Sequence, residues 1–215
     1  IYNTYGITET GSWIAGSENN PANVEDGFIG QPWGSEFLIT IEDNNEIINN
    51  CVNFTECKEN ELGYVWVKTA SLMKEYYKRE DLTKEFIFNS WFFTGDKGFL
   101  DLNGNLYLRG RVRNEINKGG IKVMPEDIDI QLEKNENVVE ACAFGIEDTI
   151  SGQDVNVAIV LKHGIEVNEV KSWLRDKISS YKFPTKWYVL DAIPKTERGK
   201  VNRQAVAKFC TENKN

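Results

Sequence analysis

A chain of 215 residues with 40% hydrophobic and 12% aromatic side chains holds enough apolar material for one large domain or two small ones, which excludes a wholly disordered tail. No apolar run approaches the roughly 20 residues that a membrane span needs, and no basic stretch followed by an apolar one opens the chain; the expectation is a cytoplasmic protein. A net charge of -8, from 25 basic and 33 acidic side chains, argues against nucleic acid or anionic lipid as a partner.

The charge is unevenly spread. Residues 1–110 hold 8 basic and 17 acidic side chains, whereas residues 111–215 hold 17 and 16, so composition shifts near residue 110. The cysteines Cys51, Cys57, Cys142 and Cys210 form no CxxC pair and are too sparse for a disulfide scaffold, so they read as reduced thiols. His163 is the only histidine. Histidine-based triads and most zinc sites are thereby excluded, and any catalysis rests on Lys, Arg, carboxylates, hydroxyls or backbone amides.

In chain order, β-rich runs at 37–41 and 63–67 predict strands, and a short helix is expected around 79–86. Residues 99–108 read as a hairpin with Asn103-Gly104 at its turn. These strands are expected to form a small barrel or sheet. Pro125 followed by Ile128 and Leu132 predicts a helix over about 125–134, and 138–146 and 155–161 read as core strands. Val167, Val170, Leu174 and Ile178 stand at helical spacing and predict a helix over about 166–179. A strand at 186–190 and a helix over about 202–210 complete an α+β domain.

Four segments carry candidate chemistry: Tyr5-Gly6-Ile7-Thr8-Glu9-Thr10, Thr94-Gly95-Asp96, the stretch from Gly110-Arg111-Val112-Arg113-Asn114 to Lys118-Gly119-Gly120, and Pro194-Lys195-Thr196-Glu197-Arg198-Gly199-Lys200-Val201-Asn202-Arg203. Tyr5 offers a flat aromatic face, Thr8 a hydroxyl and Glu9 a hard carboxylate suited to Mg²⁺, although Thr8 and Glu9 could equally cap a helix. Asp96 reads as a carboxylate presented by a tight turn, able to accept two hydroxyl hydrogen bonds, or as an ordinary turn aspartate. Gly119 and Gly120 permit positive φ and close approach of another chain, as any hairpin glycines would. Lys200 is a flexible point charge able to bridge anionic oxygens, or a solvated loop lysine. Arg111 and Arg113 could both be simple surface arginines.

In this order and spacing the segments closely resemble the adenylate-forming superfamily of acyl-CoA synthetases, peptide-synthetase adenylation domains and luciferases. Glu61-Leu62-Gly63-Tyr64-Val65-Trp66-Val67 and Ser71-Leu72-Met73-Lys74-Glu75-Tyr76-Tyr77 also match, so the resemblance runs through nearly the whole chain. It implies a β-rich, barrel-like end of a large adenylating domain at 1–110, a complete small α+β domain at 111–215 and a pivot near 111–113. It also implies a reaction in which a carboxylic acid attacks the α-phosphate of ATP, giving acyl-adenylate and pyrophosphate, after which the thiol of CoA, or of a carrier protein's pantetheine arm, takes the acyl group.

The resemblance further assigns roles. Tyr5, with Gly6, would dock adenine; Thr8 would bind phosphate; Glu9 would hold Mg²⁺; Asp96 and Arg111 would hold the ribose of ATP or AMP. Arg113 would be the hinge residue, where the family most often has Asp and in several branches Lys. Gly119 and Gly120 would let pantetheine pass, and Lys200 would serve adenylation but not thioester formation. Arg198 stands where the family often has a small or hydroxylated residue.

The family's Gly/Ser/Thr-rich phosphate loop does not occur in these 215 residues. The expectation is therefore the C-terminal portion of a longer carboxylate:CoA ligase, inactive as this stretch alone. The competing readings are a carrier-loading adenylation domain and a non-catalytic nucleotide- or partner-binding module.

Overall fold

The computed structural model describes residues 3–17, 25–41 and 55–212; Cys51 lies outside them. Two compact units divide the chain, Ile1–Val112 and Arg113–Asn215.

Among the described residues the first unit is a single eight-stranded antiparallel sheet. Its strands are β1 (Thr4–Gly6), β2 (Trp13–Gly16), β3 (Phe28–Pro32), β4 (Ser35–Thr40), β5 (Gly63–Thr69), β6 (Ile87–Phe88), β7 (Trp91–Leu100) and β8 (Leu106–Arg111). They run in the order β1-β2-β3-β8-β7-β5-β4, with β6 paired to β7. Among the described residues β1 and β4 stand at the two ends of this order. One short helix, α1 (Glu80–Phe86), precedes β6.

Alternating side chains build the core on one face: Tyr5, Ile14, Ile39, Val65, Val67, Phe92 and Leu106 pack together as the two-residue period of a strand requires. The β7–β8 hairpin turns at Asp101–Asn105. There the Gly104 amide bonds the Asp101 carbonyl at 2.9 Å, and Asp101 Oδ1 accepts from the amides of Asn103 and Asn105, the aspartate turn that such side chains favour.

The second unit is α+β. Its sheet holds β9 (Ile116–Lys118), β10 (Ile121–Val123), β11 (Val138–Asp148), β12 (Gly152–Leu161) and β13 (Lys186–Val189), in the order β10-β9-β12-β11 with β13 parallel to β12. Helices α2 (Pro125–Glu133) and α3 (Val167–Arg175) cover one face, and α4 (Arg203–Glu212) the other. Successive residues of β11 feed the two cores in turn: Ala141 and Ala143 face Ile128, Leu132, Val170 and Leu174, while Cys142 and Phe144 face Val206 and Cys210.

Each helix has a local cause. Pro125 occupies the first turn of α2, where a missing N–H costs nothing, with Glu126 and Asp127 beside it at the positive end of the dipole. Asn202 caps α4, its Oδ1 accepting from the amides of Gln204 and Ala205 at 3.1 and 3.2 Å. Helix α3 stops at Arg175, short of the expected 179. Ile178 still packs on the core and its amide still reaches the Leu174 carbonyl at 3.3 Å, but the chain there has loosened into a turn. No helix of the described residues is long and apolar enough to cross a membrane.

Because the second unit buries Ile116, Val123, Ile128, Leu132, Val155, Val157, Ile159, Val170 and Leu174 within itself, a polypeptide of residues 113–215 should fold alone. Urea unfolding followed by circular dichroism should give one cooperative transition with a slope of about 1 to 3 kcal/mol per molar. A gradual, featureless loss of signal would show that its core is incomplete.

Candidate functional site

In the first unit the expected ribose residues meet on the sheet. Asp96 lies within β7, not in a connecting turn: opposite Val65 of β5 the register slips by the residues Thr94–Asp96. Gly95, at φ +73°, supplies the left-handed backbone that this bulge needs. Thr94 Oγ1 pins the bulge by donating to the Val65 carbonyl (2.8 Å) and accepting from the Asp96 amide (3.1 Å).

The Asp96 carboxylate is buried, at 4% exposure. Its Oδ2 accepts the Tyr5 hydroxyl at 2.5 Å, and Arg111, its cross-strand partner on β8, brings Nε to within 3.1 Å of Oδ1. Burial, with the Asp96 charge, raises the Tyr5 hydroxyl far above the ordinary phenol range, so it stays protonated and donates. Tyr5 is itself 7% exposed and part of the core. Its ring is therefore packed rather than offered as an open face. A carboxylate accepts on both of its oxygens, the property that recognition of a pair of hydroxyls requires.

Gly6 has a packing reason to be glycine, since an added Cβ would lie 2.7 Å from the Ser12 carbonyl oxygen. After it, residues Thr8–Thr10 form one 3-10 turn. The residue that closes this turn is Thr10, whose Oγ1 donates to the Ile7 carbonyl and accepts from the Ile7 amide; neither Thr8 nor Glu9 acts as the cap. Thr8 is exposed. Glu9 is half-buried and accepts the Tyr76 hydroxyl on Oε1 at 3.0 Å. Burial and Glu9 push the Tyr76 hydroxyl up to about 12. Among the described residues no three His, Cys, Asp or Glu side chains converge on a metal site. A lone hard carboxylate fits Mg²⁺, which commonly takes one or two carboxylates and completes its shell with water and phosphate oxygens.

In the second unit, Arg113 is exposed in the short 3-10 turn Val112–Asn114. With Phe144, Gln153 and Gln204 it lines a cleft of about 130 Å³. Gly119 and Gly120 are the two-residue turn between β9 and β10, at φ +61° and +85°, the backbone of a tight primed hairpin turn. A Cβ at either would meet nothing within 4 Å in this chain, so it is the backbone conformation that selects glycine here. Lys200 is exposed. It ends a tight loop in which the Thr196 amide bonds the Lys200 carbonyl and the Gly199 amide the Thr196 carbonyl, both at 2.8 Å, and Lys195 pairs with Val201 across the loop's base.

Sequence reasoning gave no role to Tyr76, and it missed the buried cluster behind Lys200. Arg203, three residues on, has its side chain 17% exposed. Its guanidinium bonds Asp129 Oδ2 at 2.5 Å, the Ala143 carbonyl at 3.0 Å and Glu126 Oε1 at 3.2 Å, which ties the start of α4 to α2 and β11. Asn114 donates to the same Glu126 Oε1 at 2.7 Å, so the turn containing Arg113 and the loop containing Lys200 are fastened to one helix. A local motif gives no sign of this, because Arg203 and Asp129 are 74 residues apart. Burial also pushes the Cys142 thiol up to about 12, which keeps it a neutral packing group.

Comparison with known proteins bears directly on what these features belong to. Residues 127–200 match the AMP-binding enzyme C-terminal domain family. Over 223 aligned residues the chain is 31% identical to an oxalate–CoA ligase of Saccharomyces cerevisiae, across all of this chain and 39% of that protein. Among solved structures it is similar to the o-succinylbenzoate CoA synthetase MenE of Bacillus subtilis in complex with ATP and magnesium ion, at a TM-score of 0.80 and 29% identity over 96% of this chain and 41% of that one. The same synthetase in complex with the acyl-adenylate intermediate OSB-AMP gives 0.79 and 29% over 94% and 40%. Residues 127–200 thus form an AMP-binding enzyme C-terminal domain, the relatives matched along the chain are CoA ligases, and the chain spans about 40% of the length of the relatives it matches.

The Arg203 cluster sets two carboxylates against one guanidinium, and Glu126 Oε2 is buried without a hydrogen-bond partner. Burial raises Asp129 to about 7, against the opposing pull of Arg203 and the Ala143 amide. An acid whose folded value exceeds its unfolded value of about 3.9 binds more protons when folded, so its contribution favours the fold below about pH 4 and is lost as pH rises toward 7. In urea titrations of the second unit between pH 4 and 7, Asp129→Asn should therefore remove a downward slope that the parent shows. Identical slopes in the two proteins would contradict a raised Asp129.

Proposed function

We propose that this chain is the C-terminal part of an ATP-dependent carboxylate:CoA ligase, which joins a carboxylic acid to AMP and then passes the acyl group to the thiol of CoA. One observation carries the reading: likeness to CoA ligases runs through both units, from the Glu9 turn and the buried Asp96 in the first to the Gly119–Gly120 turn and the Lys200 loop in the second. CoA is favoured over a carrier-borne pantetheine because the relative matched along the whole chain is a CoA ligase. The proposed location is the cytoplasm, which supplies both ATP and CoA.

In this reading a carboxylate oxygen of the acid bonds the α-phosphorus as the bond to pyrophosphate breaks. Asp96 accepts the ribose hydroxyls, and Arg111, half-exposed beside it, orients the carboxylate and completes the ribose site. Tyr5 acts from beneath, by donating its hydroxyl to Asp96 and holding the carboxylate in place, while the Gly6 bend carries the chain on to the phosphate-binding residues. Thr8 donates its hydroxyl to a phosphate oxygen, and Glu9 would hold Mg²⁺, which supplies positive charge to the phosphates when bound. Lys200 meets the negative charge that gathers where acid and α-phosphate join, the kind of aimed cation that lowers such barriers most.

In the second step the thiol sulfur bonds the acyl carbon and AMP leaves. Pantetheine passes the Gly119–Gly120 turn, whose open space admits it. Residues 111–113, with Arg113 as hinge, form the pivot that lets the second unit present Lys200 for the first step and the glycine turn for the next, a change confined to a few backbone dihedrals.

In the complete ligase, Lys200→Ala should lower acid-dependent pyrophosphate exchange by about 100- to 1,000-fold, as removal of one aimed donor does elsewhere. Transfer from supplied acyl-adenylate to CoA should survive. Equal loss of both half-reactions would make Lys200 a structural residue and remove the assignment.

A further inference from the structure

Resting on the reading of Glu9 as the magnesium ligand, the geometry points to Tyr76 as the positioning residue that fixes the Glu9 carboxylate for the metal. The segment around Tyr76 is fastened to the Glu9 turn twice. The Met73 amide donates to the Glu9 carbonyl at 2.7 Å, and the Tyr76 hydroxyl donates to Glu9 Oε1 at 3.0 Å. A half-buried glutamate has three side-chain torsions to restrain, and a donor on one oxygen fixes the direction in which the other points.

Tyr76 is itself held at three points. Its amide donates to Thr83 Oγ1 at 3.0 Å. Its ring meets Phe86 edge-on, with centroids 6.3 Å apart, and it packs on the core of the first unit. Thr83 and Phe86 both belong to α1, whose Thr83 Oγ1 in turn donates to the Arg79 carbonyl. The short helix thus acts as a brace: α1 fixes Tyr76, and Tyr76 fixes Glu9. The sequence separation of 67 between tyrosine and glutamate explains why no local pattern marks the pair. The arrangement follows the rule that partners of a metal-binding side chain set its orientation and its affinity.

The test uses the complete ligase containing this chain, with Mn²⁺ as a spectroscopic substitute for Mg²⁺. Mn²⁺ binding in the presence of a non-hydrolysable ATP analogue is followed by electron paramagnetic resonance, and thermal midpoints are recorded alongside. Tyr76→Phe, which removes only the hydroxyl, should weaken Mn²⁺ binding by about 3- to 10-fold, the range expected for one lost hydrogen bond, with the thermal midpoint kept. Glu9→Gln should weaken it further, and adding Tyr76→Phe to that variant should change nothing more, because coupled residues are non-additive. Unchanged Mn²⁺ affinity in Tyr76→Phe, with or without a fall in thermal midpoint, overturns the inference, as do additive effects. If Glu9→Gln itself leaves the affinity unchanged, the magnesium assignment of Glu9 fails first, and the positioning role with it.

Discussion

A carboxylate held at 4% exposure on a β-strand is unfavourable unless hydrogen bonds and opposite charge compensate for the lost water, and the first unit is arranged around meeting that demand for Asp96. Gly95 makes the bulge that turns the carboxylate, Tyr5 delivers a hydroxyl from β1, and Arg111 delivers a guanidinium from β8. Strand β1 and the β7–β8 hairpin, remote from each other in sequence, are thereby fixed around one charge. The fold and the proposed nucleotide site share this constraint, because the donors that make Asp96 tolerable also fix the direction of its carboxylate.

The second unit solves a parallel problem with the opposite sign. In the proposed role Lys200 reaches an anionic centre from an exposed position, and its loop must then start from a fixed place. The fixed place is Arg203, whose guanidinium joins α4 to Asp129, Glu126 and the Ala143 carbonyl. Breaking a buried pair of this kind by removing one partner costs about 3 to 5 kcal/mol, so the cluster is a stiff base for a flexible tip. Asn114 joins the same cluster through Glu126, and so the turn containing Arg113 shares that base.

Much of this was legible in the residues. β-rich runs located β4, β5, β11, β12 and β13, Asn103-Gly104 located a hairpin, and Pro125 marked a helix start, because each of these signals is a local steric or hydrogen-bonding preference. Where the outcome depended on distant partners, local signals misled. Thr94-Gly95-Asp96 has the composition of a turn, but pairing on both sides draws it into β7 as a bulge. Ile178 continues the spacing of α3 and still packs, yet lies beyond the helix. Tyr5 has the chemistry of a stacking face, but its neighbours bury the ring and leave the hydroxyl as its working end. The Tyr76–Glu9 and Arg203–Asp129 contacts leave no mark in the sequence, since only the fold brings them together.

The central claim is that Asp96, held by Tyr5 and Arg111, recognises the ribose hydroxyls. Calorimetric titration of the complete ligase with AMP and with 2′,3′-dideoxy-AMP tests it most directly. Hydrogen bonds to a charged group are worth about 1.5 to 3 kcal/mol, so the parent should bind AMP at least about tenfold more tightly, and Asp96→Asn should lose most of that preference. Equal affinity of the parent for the two nucleotides would contradict the account.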